Sequence, residues 1–225
     1  MPAIFQYGFD KIDNYDIVLS KQVYEKLLEI TKLCKSDDEN KEYATILYGY
    51  LAENNKIFFE KPSSNEDYIP KSCTFDINTA PKMLNELVQT IVTNPKYNCV
   101  AHIHTHPYLE SQKEGSRFFS QEDIDYYKRS FNFSNLEINK NMYSFGGLIS
   151  IGRKLYQEQD DISFVHYNPK TNETYLFPNI SVLLNGIEKP LNKEISSYKI
   201  NNSIINYERT VLDSRILTID RDRSS

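Results

Sequence analysis

Short apolar runs alternate with helical faces along most of the chain. Residues 17–19 form a brief extended run, and Ser20 follows as a helix cap. Val23, Leu27, Leu28 and Ile30 then recur at helical spacing to about Cys34. The polar run S-D-D-E-N-K at 36–41 is a solvated loop. Residues 43–51 and 57–59 are apolar and strand-like, and the turn residues Glu53, Asn54 and Asn55 between them predict a hairpin. Residues 62–67 read as a loop and 68–75 as a further extended segment. Pro81 suits the first turn of a helix, where its missing N–H has no partner to lose. Met83, Leu84, Leu87, Val88, Ile91 and Val92 repeat at helical spacing, and Asn94-Pro95 ends the run.

Residues 99–104 predict a strand, 108–119 a loop, and Ser120 a second helix cap with a helix to about Lys128. Strands follow at 144–152, 163–167 and 174–177, the last two joined through N-P-K-T-N-E at 168–173. Beyond Pro178 the pattern weakens: 182–184 are apolar, and 200–211 suit one more helix or an element that forms against a partner. The alternation of elements predicts an α+β (α/β layered) fold, a mixed sheet flanked by helices. Residues 1–178 are expected to form one domain, with 179–225 as a C-terminal extension packed on it or on a partner.

Composition narrows the classes. A chain of 225 residues, 40% hydrophobic, buries a substantial core as one domain. A net charge of −5 with no basic run argues against a nucleic-acid partner. No apolar stretch is long enough to span a bilayer, and the opening M-P-A-I-F-Q-Y-G-F-D lacks the pattern of a secretion signal. Cys34, Cys73 and Cys99 are too few and scattered for a disulfide framework, so a reducing, cytoplasmic setting is expected.

The chemistry concentrates in H-T-H-P at 104–107 and S-Q-E-D at 120–123. If the strand continues as far as His106, alternation turns His102, His104 and His106 to one face, and Pro107 disfavours continuation beyond them. Two imidazoles and a carboxylate near a helix start are ligands that Zn2+ takes, with a fourth position for water. The same residues admit plainer roles. Ser120 can cap the helix with Asp123 reciprocating, and Glu122 and Asp125 compete with Asp123 as the carboxylate. His102 is either an outer partner of the ligands or a satisfied strand histidine. His166 is a polar residue on a late strand, and Cys99 is more simply a buried apolar residue than a nucleophile.

Glu42, followed by Y-A-T-I-L-Y-G, then H-T-H-P at 104–107 and S-Q-E-D at 120–123, resembles the JAMM motif of the JAB/MPN metalloprotease family, over roughly residues 17–167. The resemblance implies a JAB/MPN-like fold with zinc on His104, His106 and Asp123. It makes Glu42 the general base and Ser120 an oxyanion donor. It implies hydrolysis of a peptide or isopeptide bond, on a protein or peptide substrate such as a ubiquitin-like or carrier protein. Two departures stand out: twelve residues between Pro107 and Ser120, and Thr45 where glycine is frequent. The 108–119 loop, with Tyr108, Leu109, Phe118 and Phe119, either grips substrate or pins itself to the body. Two other functions compete: a non-catalytic interaction scaffold of the same family, and a zinc amidohydrolase for a small substrate. A homodimer or larger complex through the C-terminal segment is compatible with the resemblance.

Overall fold

A computed structural model describes residues 12, 14–37, 41–64, 67–69, 81–107, 118–129, 142–152, 159–168, 173–200 and 203–217. Strand β1 (Asp16–Ser20) runs directly into helix α1 (Lys21–Ser36). Ser20 keeps extended backbone angles while its Oγ accepts the Val23 N–H at 3.2 Å, satisfying one of the donors that a helix start leaves over. The next two strands, β2 (Glu42–Ala52) and β3 (Lys56–Pro62), form the expected hairpin. Asn54 and Asn55 turn it at φ 59° and 57°, the left-handed region that asparagine tolerates better than most side chains. The short β4 (Asp67–Ile69) pairs with the start of β2. Helix α2 (Pro81–Thr93), β5 (Cys99–His106) and α3 (Gln121–Arg129) follow. The rest is strand: β6 (Tyr143–Ser150), β7 (Asp161–Asn168), β8 (Glu173–Leu176), β9 (Ile180–Leu184), β10 (Ile187–Pro190), β11 (Lys193–Ile200) and β12 (Ser203–Val211). A 3₁₀ turn at Ser214–Leu217 closes the described chain.

The twelve strands among the described residues belong to one mixed sheet, ordered β10-β9-β1-β3-β2-β5-β6-β7-β12-β11, with β4 on β2 and β8 on β7. The sheet curls. Its two ends, β10 and β11, are consecutive in the chain and separated only by Leu191 and Asn192. Backbone hydrogen bonds from Leu191 N to Ile180 O at 2.9 Å and from Val211 N to Asn192 O at 2.8 Å hold that corner.

This corrects the expectation of an α+β (α/β layered), JAB/MPN-like fold. The molecule is not a sheet sandwiched by helices: among the described residues, three α-helices cover parts of a curled sheet that dominates the fold. The difference arises after Pro178. There the chain forms β9 to β12, and the stretch at 200–211 that suits a helix is mostly strand β12, paired along its length with β11. Strand pairing between segments is a tertiary fact, and periodicity within one segment does not reveal it. The described part of the extension thus adds strands to both ends of one sheet.

Period-2 alternation divides the sheet into two faces. Val23, Tyr24, Leu27 and Ile30 of α1 pack with Leu47, Ala101, Ile103 and a cluster of aromatic rings on one face. Phe59 meets Phe145 edge-on at 5.6 Å between ring centroids and stacks on Phe164 at the same separation, geometries that aromatic pairs favour. Met83, Leu87 and Ile91 of α2 cover Ala44, Ile46, Tyr48 and Val100 on the other face. There α3 adds Tyr126 and Tyr127 against Val165.

Helix α1 is tied to the C-terminal segment by Tyr24. Its buried hydroxyl accepts the Asp213 N–H at 2.9 Å and donates to the Asp213 carbonyl at 3.0 Å. Tyr24→Phe leaves two backbone groups without this partner, an expected loss of about 1–3 kcal/mol. The measurement is a urea unfolding curve, in which the midpoint should fall with its slope unchanged.

Candidate metal centre

Strand β5 is buried at every position and lies between β2 and β6 near the middle of the sheet. Its antiparallel partner β2 sets Ala44 opposite His104, and its parallel partner β6 sets Leu148 opposite His104 and Ser150 opposite His106. Paired on both sides, the strand holds His102, His104 and His106 on the face that carries α2 and α3. It runs through His106, two residues beyond the expected end, and stops at Pro107, which has no N–H to contribute.

His104 Nε2 and His106 Nε2 point at each other across 3.0 Å. Asp123 reaches them from the first turn of α3, with Oδ1 3.2 Å from His104 Nε2 and Oδ2 3.4 Å from His106 Nε2. A tetrahedral ion with bonds of about 2.0–2.2 Å separates its ligand atoms by about 3.3–3.6 Å. These three distances therefore come close to the edges of such a site. Glu42, at the start of β2, places Oε1 4.0 Å from His106 Nε2. One ligand atom from each of Glu42, His104 and His106 lies within 4.8 Å of the others, a group able to hold a metal ion. Two carboxylates thus flank one imidazole pair, and Asp123 is the nearer.

The two sequence readings of Ser120 and Asp123 coexist. Asp123 Oδ2 accepts the Ser120 N–H at 2.6 Å, and Ser120 Oγ accepts the Asp123 N–H at 3.0 Å, a reciprocal cap. The cap restricts the carboxylate's rotation while both oxygens still face the histidines. The competing carboxylates are placed elsewhere: Glu122 is exposed, and Asp125 accepts from Gln121 Nε2 at 3.0 Å. The middle residue of H-T-H helps set Glu42, because Thr105 Oγ1 accepts the N–H of its neighbour Tyr43 at 2.9 Å.

The electrostatics favour positive charge at the junction. Burial opposes the charge of Asp123, yet the two imidazoles hold its carboxyl well below the usual carboxylate range. Burial alone lowers an imidazole's pKa, but Asp123 and Glu42 push His104 above its ordinary value. Glu42 moves the other way: burial raises its carboxyl above the usual range despite the neighbouring imidazoles.

His102 shares the strand face but sits in an aromatic wall, its ring 5.2 Å from Tyr126 and 6.0 Å from His104 between centroids. Burial holds it well below the ordinary imidazole range, which disfavours its charged form. Tyr127 escaped the sequence reading. Its hydroxyl lies 3.1 Å from His104 Nδ1 and 3.4 Å from the Gly147 carbonyl. The available signal was its spacing: Asp123 and Tyr127 are four apart on α3 and so share a helix face. Gly146 makes room for the ring, since a Cβ there would come within 2.3 Å of it.

The remaining candidates take structural places. His166 Nδ1 is 2.7 Å from the Ser144 carbonyl and so donates to it. Phe118 packs on Tyr207 and Phe119 edge-on against Tyr127, while Tyr108 and Leu109 lie outside the described residues. Among the described residues, no helix is long and apolar enough to cross a membrane. Comparison with protein-family models and with curated proteins finds no match.

Burial pushes the Cys34 thiol up to about 11 and that of Cys99 well above its ordinary value, conditions that suppress thiolate chemistry. Cys73 lies outside the described residues. Native protein at pH 8 is expected to leave Cys34 and Cys99 unmodified by iodoacetamide, with full labelling after denaturation. Peptide mapping by mass spectrometry checks it.

Proposed function

We propose that this chain is a zinc-dependent hydrolase of peptide or isopeptide bonds, using His104, His106 and Asp123 as ligands and Glu42 as general base. The observation that carries the reading is the convergence of the two Nε2 atoms and the Asp123 carboxylate at 3.0–3.4 Å, with a second carboxylate at 4.0 Å. Two imidazoles and a carboxylate with an open fourth position form a catalytic rather than a structural zinc set. The likeness of Glu42, H-T-H-P and S-Q-E-D to the JAMM motif gives independent support and favours an amide bond on a protein or peptide, with a ubiquitin-like or carrier tail as substrate class. Scattered cysteines, two of them buried, fit a reducing setting, and we assign the protein to the cytoplasm.

His104, His106 and Asp123 would hold the zinc ion, which would supply Lewis acidity for activating water and polarising the scissile carbonyl. Glu42 takes the proton of the attacking water and returns it to the leaving amine. Burial raises its pKa above the usual carboxylate range, the direction that makes the carboxylate a better proton acceptor. Ser120 Oγ accepts from Asp123 and retains its own hydrogen, which it donates to the oxyanion.

Two substitutions separate binding from chemistry. His104→Ala should abolish zinc retention, measured by elemental analysis after dialysis. Glu42→Gln should retain zinc while hydrolysis of isopeptide-linked ubiquitin-like or peptide substrates falls about 10²- to 10⁴-fold. Equal metal content in wild type and His104→Ala would overturn the assignment and favour a non-catalytic scaffold.

A further inference from the structure

We infer that Tyr127 is a positioning residue for the metal centre, its hydroxyl holding His104 in the tautomer that turns a bare Nε2 toward Asp123 and His106. This rests on the metal reading above and adds a residue that the motif does not contain.

Donor and acceptor accounting leads to it. A carbonyl oxygen only accepts, so the contact at 3.4 Å between the Tyr127 hydroxyl and Gly147 O has the tyrosine donating. The phenol oxygen then keeps lone pairs for His104 Nδ1, 3.1 Å away, and the tautomer we infer places the proton on that nitrogen. A neutral imidazole holds one N–H. With Nδ1 protonated, Nε2 has a free lone pair at the atom that lies 3.0 Å from His106 Nε2 and 3.2 Å from Asp123 Oδ1. The relay runs from His104 Nδ1–H to the Tyr127 hydroxyl and on to the Gly147 carbonyl. Metal-binding histidines commonly have such a partner behind them, which sets ring orientation and basicity.

Three further observations concern the placement of the ring. Tyr127 is buried, and burying a phenol hydroxyl without a partner is costly, so phenylalanine would fill the same wall more cheaply were the hydroxyl idle. Gly146 admits the ring where any Cβ would collide with it. Asp123 and Tyr127 also ride on one face of α3, so a single helix delivers a carboxylate to the front of His104 and a hydroxyl to its back.

Tyr127→Phe removes only the hydroxyl. Its zinc dissociation constant, measured by competition with a chromophoric chelator, should rise about 10- to 100-fold. Its melting temperature in excess chelator should stay close to that of wild type. An unchanged zinc constant, whether or not that melting temperature falls, would overturn the inference and leave Tyr127 as packing alone, with the metal site intact. Wild-type protein that takes up no zinc would overturn both. If the variant does not fold, nitrogen-15 spectra of the zinc-loaded wild type decide. A proton on His104 Nδ1 in slow exchange with water supports the relay, and a proton on Nε2 sinks it.

Discussion

The two-sided pairing of β5 is the constraint on which the candidate site depends. A strand with one free margin can slide, and a slip of one residue exchanges its faces. Bonded to β2 on one side and β6 on the other, β5 has no such freedom. The histidines therefore stay on the α2 and α3 side while Ala101 and Ile103 stay in the core around α1. The same pairing brings Glu42 into range, because β2 runs antiparallel and begins beside the end of β5. Three elements far apart in sequence meet at one point through one continuous ladder and the short reach of α3.

Burying polar groups so close to the core is unfavourable unless each finds a partner. Asp123 is held by the Ser120 N–H and faces two imidazoles, and His104 meets Asp123 on one nitrogen and Tyr127 on the other. Such an arrangement is satisfied in two ways, by protons shared between imidazole and carboxylate or by a cation replacing them. The opposed shifts of Asp123 and His104 express that preference for positive charge between the ligands. The two glycines of β6 provide space on opposite faces, Gly146 beside Tyr127 and Gly147 beside Ile103.

Local chemistry was legible in the sequence where the cause is itself local. Ser20 and Ser120 announce helix starts by their side-chain oxygens, Pro81 by its missing donor, and Asn54 with Asn55 announce a turn. The spacing of His104 and His106 anticipated their shared face. Tyr127 was not legible, because its importance depends on a strand 23 residues away in sequence. One local signal for the C-terminal strands does lie in the sequence. Asn185-Gly186 joins β9 to β10 at φ 47° and 78°, a pair well suited to a two-residue hairpin. The rest has a physical cause: 200–211 carry isoleucines and a valine compatible with either period, and only pairing with β11 and β7 decides for strand at Ser203–Val211.

The corner between β10 and β11 has a consequence for how the molecule can be divided. One stretch of chain covers the flank of β1 through β9 and the flank of β7 through β12. It works as a clasp whose two arms belong to one piece. Truncation before Ile180 would uncover unpaired backbone on both rims together, each a template for adhesion to other chains. The tail is therefore not a detachable module, and the strands that carry Glu42 and the histidines keep their insulation only while it stays fastened.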